Sequence, residues 1–524
     1  MGQGNLGLGM LARIAVTAAP EQELKFQLGL NSMEALAETF PPQSGDITQL
    51  HAVYFDTPTH ALRDAGFSLR VRRDGDVFRQ TLKHRGDGGL FARDEWEVEV
   101  AGSELDLGIL AGTPASAVIG DMPLEPVFTV SVERRLHSWT SDRAVVQVTL
   151  DTGSITIGEK CEPVAELELE LIDGEPAALF ELARILLAKA ALTLAFASKA
   201  ERGYRLAGHD GSSALQAHRT AIGSQTTAGV AFQIVARDSL IQIAGNAGLL
   251  QRSQSPEVLH QLRVGLRRLR TAMTVFKPML DTEGLAAARH ETRWLAGEMA
   301  QARDIDVFLQ NTARPDEAEE SPGRAAFLQA LRLAQTEGYE QAMMAVRSPR
   351  YDALLLSLGE WIEVGPWLRS DHAGQREMRD APVAVIAPPI MDRLHDRLKR
   401  HARGFADLDA SARHELRKRA KTLRYTAGFL GDSVTEHPKR RLAFMAHLRA
   451  MQDRLGELND MAVAQSVAMR AVARRSGMLA FAAGLELGRM THREGEALKS
   501  ASRAVKIYRK SKAFWNRQGK DFND

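Results

Sequence analysis

A β-strand points successive side chains to opposite faces, and the hexapeptide Glu21-Gln22-Glu23-Leu24-Lys25-Phe26 places its charges on one face only. Glu21, Glu23 and Lys25 share that side, while Gln22, Leu24 and Phe26 share the other. Glu166-Leu167-Glu168-Leu169-Glu170-Leu171 repeats the design, with three carboxylates backed by three leucines. Five carboxylates on two strands repel one another unless a cation or basic groups neutralise them. The chain supplies such groups. Leu69-Arg70-Val71-Arg72 puts two arginines on one strand face, Gln80-Thr81-Leu82-Lys83 ends in a lysine, and Arg93, Arg134 and Lys199 follow. A solvated sheet edge can carry a pattern of this kind. The alternative is a closed barrel whose interior holds both signs of charge, which suits a metal-bound polyphosphate anion.

Six motifs then occur in a fixed order: Glu21 to Lys25, Tyr54-Phe55-Asp56-Thr57-Pro58, Leu69 to Arg72, Gln80 to Lys83, Glu166 to Leu171, and Ser198-Lys199-Ala200-Glu201-Arg202-Gly203-Tyr204. Together they resemble the signature of the CYTH superfamily, the triphosphate tunnel metalloenzymes, over residues 20–206. The resemblance implies an antiparallel β-barrel tunnel with flanking helices. It implies that Lys25, Arg70, Arg72, Lys83, Arg134 and Lys199 clamp the terminal phosphates, and that Glu21, Glu23, Glu168 and Glu170 form the metal side for Mg2+ or Mn2+. Glu166 is a candidate fifth carboxylate, and Arg93, Arg202 and Glu95 are candidate assistants. Arg135 remains an alternative to Arg134, because local spacing does not decide between them. Two departures stand out: Val130-Ser131 before Arg134 offers no further ionisable group, and Arg93 adjoins the acidic run Asp94-Glu95-Trp96-Glu97. No Walker-type glycine loop or other nucleotide fingerprint is present, which favours a substrate read by its phosphates. Inorganic triphosphate, cleaved to pyrophosphate and phosphate, is the expected substrate. Adenylyl cyclases and thiamine triphosphatases share these motifs.

The rest of the chain has a different character. Net charge is only +1 over 524 residues, yet residues 1–210 carry 19 Lys and Arg against 31 Asp and Glu, a formal −12, leaving +13 for residues 211–524. An acidic half able to hold metal is joined to a basic half able to hold polyanions. The single cysteine, Cys161, excludes an intrachain disulfide and fits a reducing compartment. No apolar run approaches the roughly 18 residues that span a bilayer. Residues 1–20 read as an extended lead and not a signal peptide, with Met10 a second candidate start. A cytoplasmic protein without a membrane partner is expected.

Residues 20 to about 160 read as strands, with Asp74-Gly75, Asp87-Gly88-Gly89 and Asp151-Thr152-Gly153 as turn signals. Helices are expected at Ser32 to Phe40 and from Pro176 to about Leu192, and residues 207–227 read as a linker. Beyond it, long amphipathic helices contain a repeat. His260-Gln261-Leu262-Arg263 is followed by Arg267 and Leu269-Arg270, and His414-Glu415-Leu416-Arg417 by Lys421 and Leu423-Arg424. On a helix, positions 0, +3, +7 and +10 fall within roughly 80° of arc, so each copy shows one narrow basic stripe. Arg303-Asp304-Ile305-Asp306 and Asn459-Asp460-Met461-Ala462 extend the two copies, with Asp304 44 residues after His260 and Asp460 46 after His414.

This half resembles the CHAD family of histidine-containing α-helical domains, often fused to CYTH domains and described as binding inorganic polyphosphate, over residues 225–515. The expected architecture is therefore α+β in two domains: a tunnel domain at 20–206, and an all-α domain of two pseudo-symmetric bundles at 228–515. Polyphosphate contact is expected at His260, Arg263, Arg267, Arg270, His414, Arg417, Lys421 and Arg424. Placement at polyphosphate granules follows from the same resemblance. Specific nucleic-acid binding is not expected, since Tyr425 is the only ring in either stripe. Two functions stand: a metal-dependent triphosphatase carrying a polyphosphate-binding domain, or a non-catalytic polyphosphate-targeting protein.

Overall fold

A computed structural model describes residues 15–16, 22–29, 31–41, 46–84, 94–208, 214–217, 221–312, 322–472 and 477–515. The chain divides into two compact units, Met1–Ser213 and Ala214–Asp524.

The first unit is built on one sheet of ten strands: β1 (Ala15–Val16), β2 (Glu23–Leu28), β3 (Asp46–Asp56), β4 (Phe67–Asp74), β5 (Val77–His84), β6 (Asp94–Val100), β7 (Glu125–Thr140), β8 (Ala144–Ile157), β9 (Lys160–Gly174) and β10 (Leu192–Leu194). Their order is β1-β6-β5-β4-β3-β7-β8-β9-β2-β10, and every described pairing is antiparallel. No ladder joins β1 to β10 among the described residues, so the sheet curls round its interior without hydrogen-bonded closure.

Alternation explains how a strand can bury charge inside and still fold. On β4, Phe67, Leu69 and Val71 are buried on the outer face, where Leu62, Leu82, Leu110, Ala115 and Ile119 complete a cluster with Phe67 and Leu69. Ser68, Arg70 and Arg72 alternate with them and face the interior cavity. On β2 and β9, Leu24, Phe26, Leu167 and Leu169 are fully buried, and the helix Ala177–Leu187 lies against these strands with Leu179, Leu182 and Leu186 buried. Apolar burial outside the sheet supplies the folding energy that the charged interior cannot.

Two local expectations change. The helix from Pro176 ends at Leu187, and Leu192–Leu194 instead forms β10, pairing with β2. Asp151-Thr152-Gly153 is no turn: β8 runs straight through it, with Arg134 opposite Asp151 and Val132 opposite Gly153. Glycine is needed there for close approach, because a Cβ at Gly153 would lie 2.0 Å from the Ser131 carbonyl oxygen. The turn at Asp74-Gly75 is present, with Gly75 at φ +60°. Asp87-Gly88-Gly89 lies outside the described residues.

The helix Lys199–Leu206 closes one end of the interior. Ser198 and Glu201 form a reciprocal capping box, which fixes Lys199 as the first helical residue. Gly203 lets this helix sit on Phe128, since a Cβ there would meet the ring at 2.2 Å. Phe128 in turn stacks on Tyr54, with ring centroids 4.6 Å apart. Gly203→Ala is therefore expected to cost about 1–3 kcal/mol through overpacking. The check is a lower denaturation midpoint at unchanged m-value.

The named elements of the second unit are all helices, with one isolated bridge between Thr227 and Pro382. Phe232, in the helix Ala228–Leu250, meets Phe276, Trp361 and Trp367 edge-on, with centroids 5.2–5.8 Å apart. Phe444, in the helix Pro438–Val472, forms a second aromatic centre with Tyr508, Phe514 and Trp515. A third apolar cluster joins Ile305, Phe308 and Phe327 to Val467 and Ala483. The basic stripes lie on the helices Pro256–Val275 and Ala410–Leu430, which touch each other through Arg267 Nε donating to the Tyr425 hydroxyl at 3.0 Å. No described helix is long and apolar enough to cross a membrane.

Candidate functional site

The register of β2 on β9 brings the two charged motifs together. Glu23 lies opposite Glu170, Lys25 opposite Glu168, and Gln27 opposite Glu166. Around them the sheet encloses a cavity of about 470 Å3. Its wall includes Lys25, Arg70, Arg72, Lys83, Arg134 and Lys199 among the cations, and Glu23, Glu168 and Glu170 among the acids. Of the assistants, Glu95 lines the cavity and Arg93 lies outside the described residues, as does Glu21. Arg134 faces inward, while Arg135 pairs with Glu133 at 2.8 Å and does not line the cavity.

The two signs of charge interleave instead of occupying opposite walls, and Leu50, Ala52, Val130, Val132 and Ala200 give the cavity an apolar side. Glu168 is the hub: Lys25 Nζ lies 2.9 Å away, Lys199 Nζ 3.0 Å and Arg134 Nη2 3.3 Å. Burial works to raise its carboxyl, but Lys199, Lys25 and Arg134 overcome that and hold it well below the usual carboxylate range. Glu166 does not line the cavity. It is buried beneath it, 2.5 Å from Lys199 and 2.6 Å from Arg202, which also reaches Glu162 at 2.8 Å.

Several inward groups escaped the sequence reading, Asp151, Glu97 and Tyr54 among them. Asp151 is fully buried and accepts two hydrogen bonds from Arg134, at 2.8 and 2.7 Å, while Lys199 lies 2.8 Å away. Its aspartate-glycine context reads as a turn, which hides it. Glu97 accepts from Arg79 at 3.2 Å and from the Thr81 hydroxyl at 3.0 Å, and lies 3.5 Å from Arg72. Tyr54 points its hydroxyl toward Arg70, which donates to it at 3.4 Å. Burial acts to raise the Tyr54 phenol, yet Arg70, Lys199 and Lys83 bring it below the ordinary tyrosine value.

Arg70 differs from its neighbours. Lys83 pairs with Glu95 at 2.7 Å, and Lys25, Arg72, Arg134 and Lys199 each have a carboxylate within 4 Å. Among the described residues, Arg70 has none, and its Nε is buried without a hydrogen-bond partner. Burial works to lower its guanidinium, but Tyr54, Glu95 and Glu97 outweigh that and hold it above the ordinary arginine value, so it stays charged and available to an anion entering the cavity.

Glu170 mirrors Arg70. It has no cationic partner within 4 Å among the described residues, and burial together with Glu23 opposite pushes its carboxyl up. Glu23 and Glu170 suit a Mg2+ or Mn2+ ion that takes one or two carboxylates and completes its shell with phosphate oxygens and water. Among the described residues no group of three His, Cys, Asp or Glu is placed to hold an ion.

In the second unit the two stripes converge. Arg263 donates to the Ala296 carbonyl at 2.9 Å, Arg267 binds Tyr425, and Arg417 lies over Gly456 with its Nη2 4.0 Å from Asp460. Arg270 is crowded by Arg293 and Arg267, and Arg424 lies 5.2 Å from the Tyr425 ring. His414 Nδ1 is 2.6 Å from Asn459 Oδ1. Burial, then Arg303, lowers the His260 imidazole to about 4. The aspartates of the extended repeat, Asp304 and Asp460, sit against the stripes, which sequence neighbours of the stripes did not reveal.

The CYTH domain model matches residues 19–204 and the CHAD domain model residues 235–468. An inorganic triphosphatase from Haemophilus influenzae is 30% identical over 156 residues, which are 29% of this chain and 44% of that protein, so the match spans under half of its length. An uncharacterised protein from Mycobacterium tuberculosis is 26% identical over 437 residues, covering 78% of this chain and 81% of the relative. Among solved structures, the CHAD domain from the plant Ricinus communis superposes with a TM-score of 0.50 at 26% identity, covering 56% of this chain and 96% of that one. The chain is a CYTH domain followed by a CHAD domain.

Proposed function

We propose that the tunnel hydrolyses inorganic triphosphate to pyrophosphate and phosphate with a divalent metal, and that the helical domain binds inorganic polyphosphate. The observation that carries the first part is Arg70, a half-buried cation with no carboxylate within 4 Å among the described residues, at the side of a cavity ringed by cations already held in place. Phosphoryl transfer asks the protein mainly for positioning and charge stabilisation. Arg70, Arg72 and Lys83 on β4 and β5 bind terminal phosphate oxygens. Lys25, Arg134 and Lys199 hold the other side, kept charged and oriented by Glu168 and Asp151. Glu23 and Glu170 would hold a Mg2+ or Mn2+ ion, which when bound would supply charge neutralisation and a more acidic water. The similarity to the Haemophilus triphosphatase supports this reading over the tunnel region.

Among the described residues Tyr54 is the one aromatic side chain lining the cavity, and it is stacked on Phe128, so no described ring offers a nucleobase a platform. Triphosphate is expected to exceed ATP in kcat/KM, measured as phosphate release on both substrates. Equal values would contradict a site that reads phosphates alone. Residues 1–213 by themselves are expected to fold and turn over triphosphate, because all of the described cavity lining lies within that unit. An inactive fragment beside an active full chain would contradict it.

For the helical domain, the clustered cations support polyanion binding whose affinity falls steeply with salt, as counterion release requires. Reversing charge at Arg263, Arg267, Arg417 and Lys421 together is expected to abolish polyphosphate binding while leaving triphosphate turnover unchanged. Tighter binding to DNA than to polyphosphate at about 150 mM salt would overturn this assignment.

A further inference from the structure

Arg267 and Lys421 are the +7 residues of the two stripes, and Arg267 is bonded at 3.0 Å to Tyr425, one helical turn beyond Lys421. Lys421 is half-buried, and among the described residues its amine makes no hydrogen bond and has no carboxylate within 4 Å. The charged groups facing it are Arg263 and Arg267 from the helix Pro256–Val275, Arg417 one turn earlier on its own helix, and Asp460 from the helix Pro438–Val472. Three guanidiniums against one carboxylate leave an excess of positive charge at this point, and an amine is the one member of the cluster able to shed it. Arginines remain protonated throughout the physiological range, whereas a lysine amine yields its proton readily when buried among like charges.

We infer that the CHAD domain binds polyanions with uptake of a proton at Lys421, so that its affinity for polyphosphate is coupled to pH. The inference rests on the polyphosphate reading of this domain. In the free protein Lys421 Nζ carries a lone pair. When a phosphate chain enters between the stripes, its oxygens offset Arg267 and Arg417, and Nζ takes H+ from solvent to become an ammonium that pairs with the chain. Burial, followed by Arg267 and Arg417, lowers the Lys421 amine to about 6 in the free protein, in keeping with that resting state. The sign follows from linkage. Because the complex holds one more proton than the free protein, affinity falls as pH rises above the free value, by up to about tenfold per pH unit. His260, Asp304 and Asp460 lie in the same cluster. His260 is lowered to about 4, the two aspartates are raised by burial, and, against its burial, the Tyr425 phenol is lowered by Arg267. K421R keeps all four groups, so the variant separates their titration from that of Lys421.

The test uses the full chain and long-chain polyphosphate, whose internal phosphates stay ionised, at fixed ionic strength between pH 7 and 8.5. Calorimetric titration in buffers of different ionisation heat is expected to show close to one proton taken up per site, with the affinity falling across the range. K421R keeps the charge without a titratable amine. It is expected to bind with a flat pH profile, more tightly than the wild type at pH 8.5, and with no buffer-dependent heat. Wild-type binding without proton uptake, or a K421R profile as steep as the wild type, overturns the proposal and leaves polyphosphate binding standing. Absence of any binding overturns both. Should K421R fold poorly, 13C-dimethyl-lysine resonances of the wild type decide. One is expected to titrate near neutrality and to move up with polyphosphate, and a full set titrating near the ordinary lysine value refutes the inference.

Discussion

Arg70→Ala is expected to lower kcat/KM for inorganic triphosphate roughly a hundred- to thousandfold, the scale on which loss of one preorganised charge-stabilising donor acts. The same substitution should leave the thermal midpoint little changed. Among the described residues no carboxylate lies within 4 Å of Arg70, so removing it breaks no ion pair, and Glu95 and Glu97 act on it only at longer range. Loss of function joined to preserved stability marks a group kept for its ligand. The measurement is triphosphate turnover and a melting curve on the same preparation. A fall in stability parallel to the fall in activity would identify Arg70 as a structural cation instead.

Lys199→Met should have the opposite signature. Lys199 lies within 3.0 Å of Asp151, Glu166 and Glu168, and Asp151 and Glu166 are almost wholly buried. Methionine fills the space but leaves these carboxylates short of a cation, a loss of about 3–5 kcal/mol. Turnover should vanish as well. Acid distinguishes the variant from the wild type. In the wild type Glu168 is held well below its usual range, so its stabilisation is present above the unfolded carboxyl value and is lost as pH falls. In the variant the crowded carboxylates are raised, the folded state binds more protons than the unfolded chain, and lowering the pH toward 5 should restore stability. Denaturant midpoints at pH 5 and pH 8 give the answer. A variant that loses stability on acidification as the wild type does would contradict the buried-cluster account.

Strand alternation made the inward charges legible, because a charged face backed by leucines leaves few other places for the charge to go. The partners of those charges were not legible. Glu168 joins Lys25 across a ladder, but Lys199 reaches it from a helix, and Arg134 from β7, two strands away in the sheet. Asp151 shows the limit most plainly. In sequence Asp151-Thr152-Gly153 has turn composition, and only the approach of Ser131 to Gly153 makes the glycine a requirement of a continuous strand. In the helical domain, periodicity placed both basic stripes, since spacing along one helix decides a face. That Asp304 and Asp460 pack against them depends on how separate helices cross, which the pattern along each helix does not encode.

Phosphate release from inorganic triphosphate by the full chain, with Mg2+ or Mn2+ and again in excess chelator, tests the central claim most directly. The arrangement of Arg70, Lys199 and the Glu23–Glu170 pair predicts turnover only when metal is present, abolished by chelator and by Arg70→Ala. Turnover that persists in chelator, or no release with either metal, would contradict it.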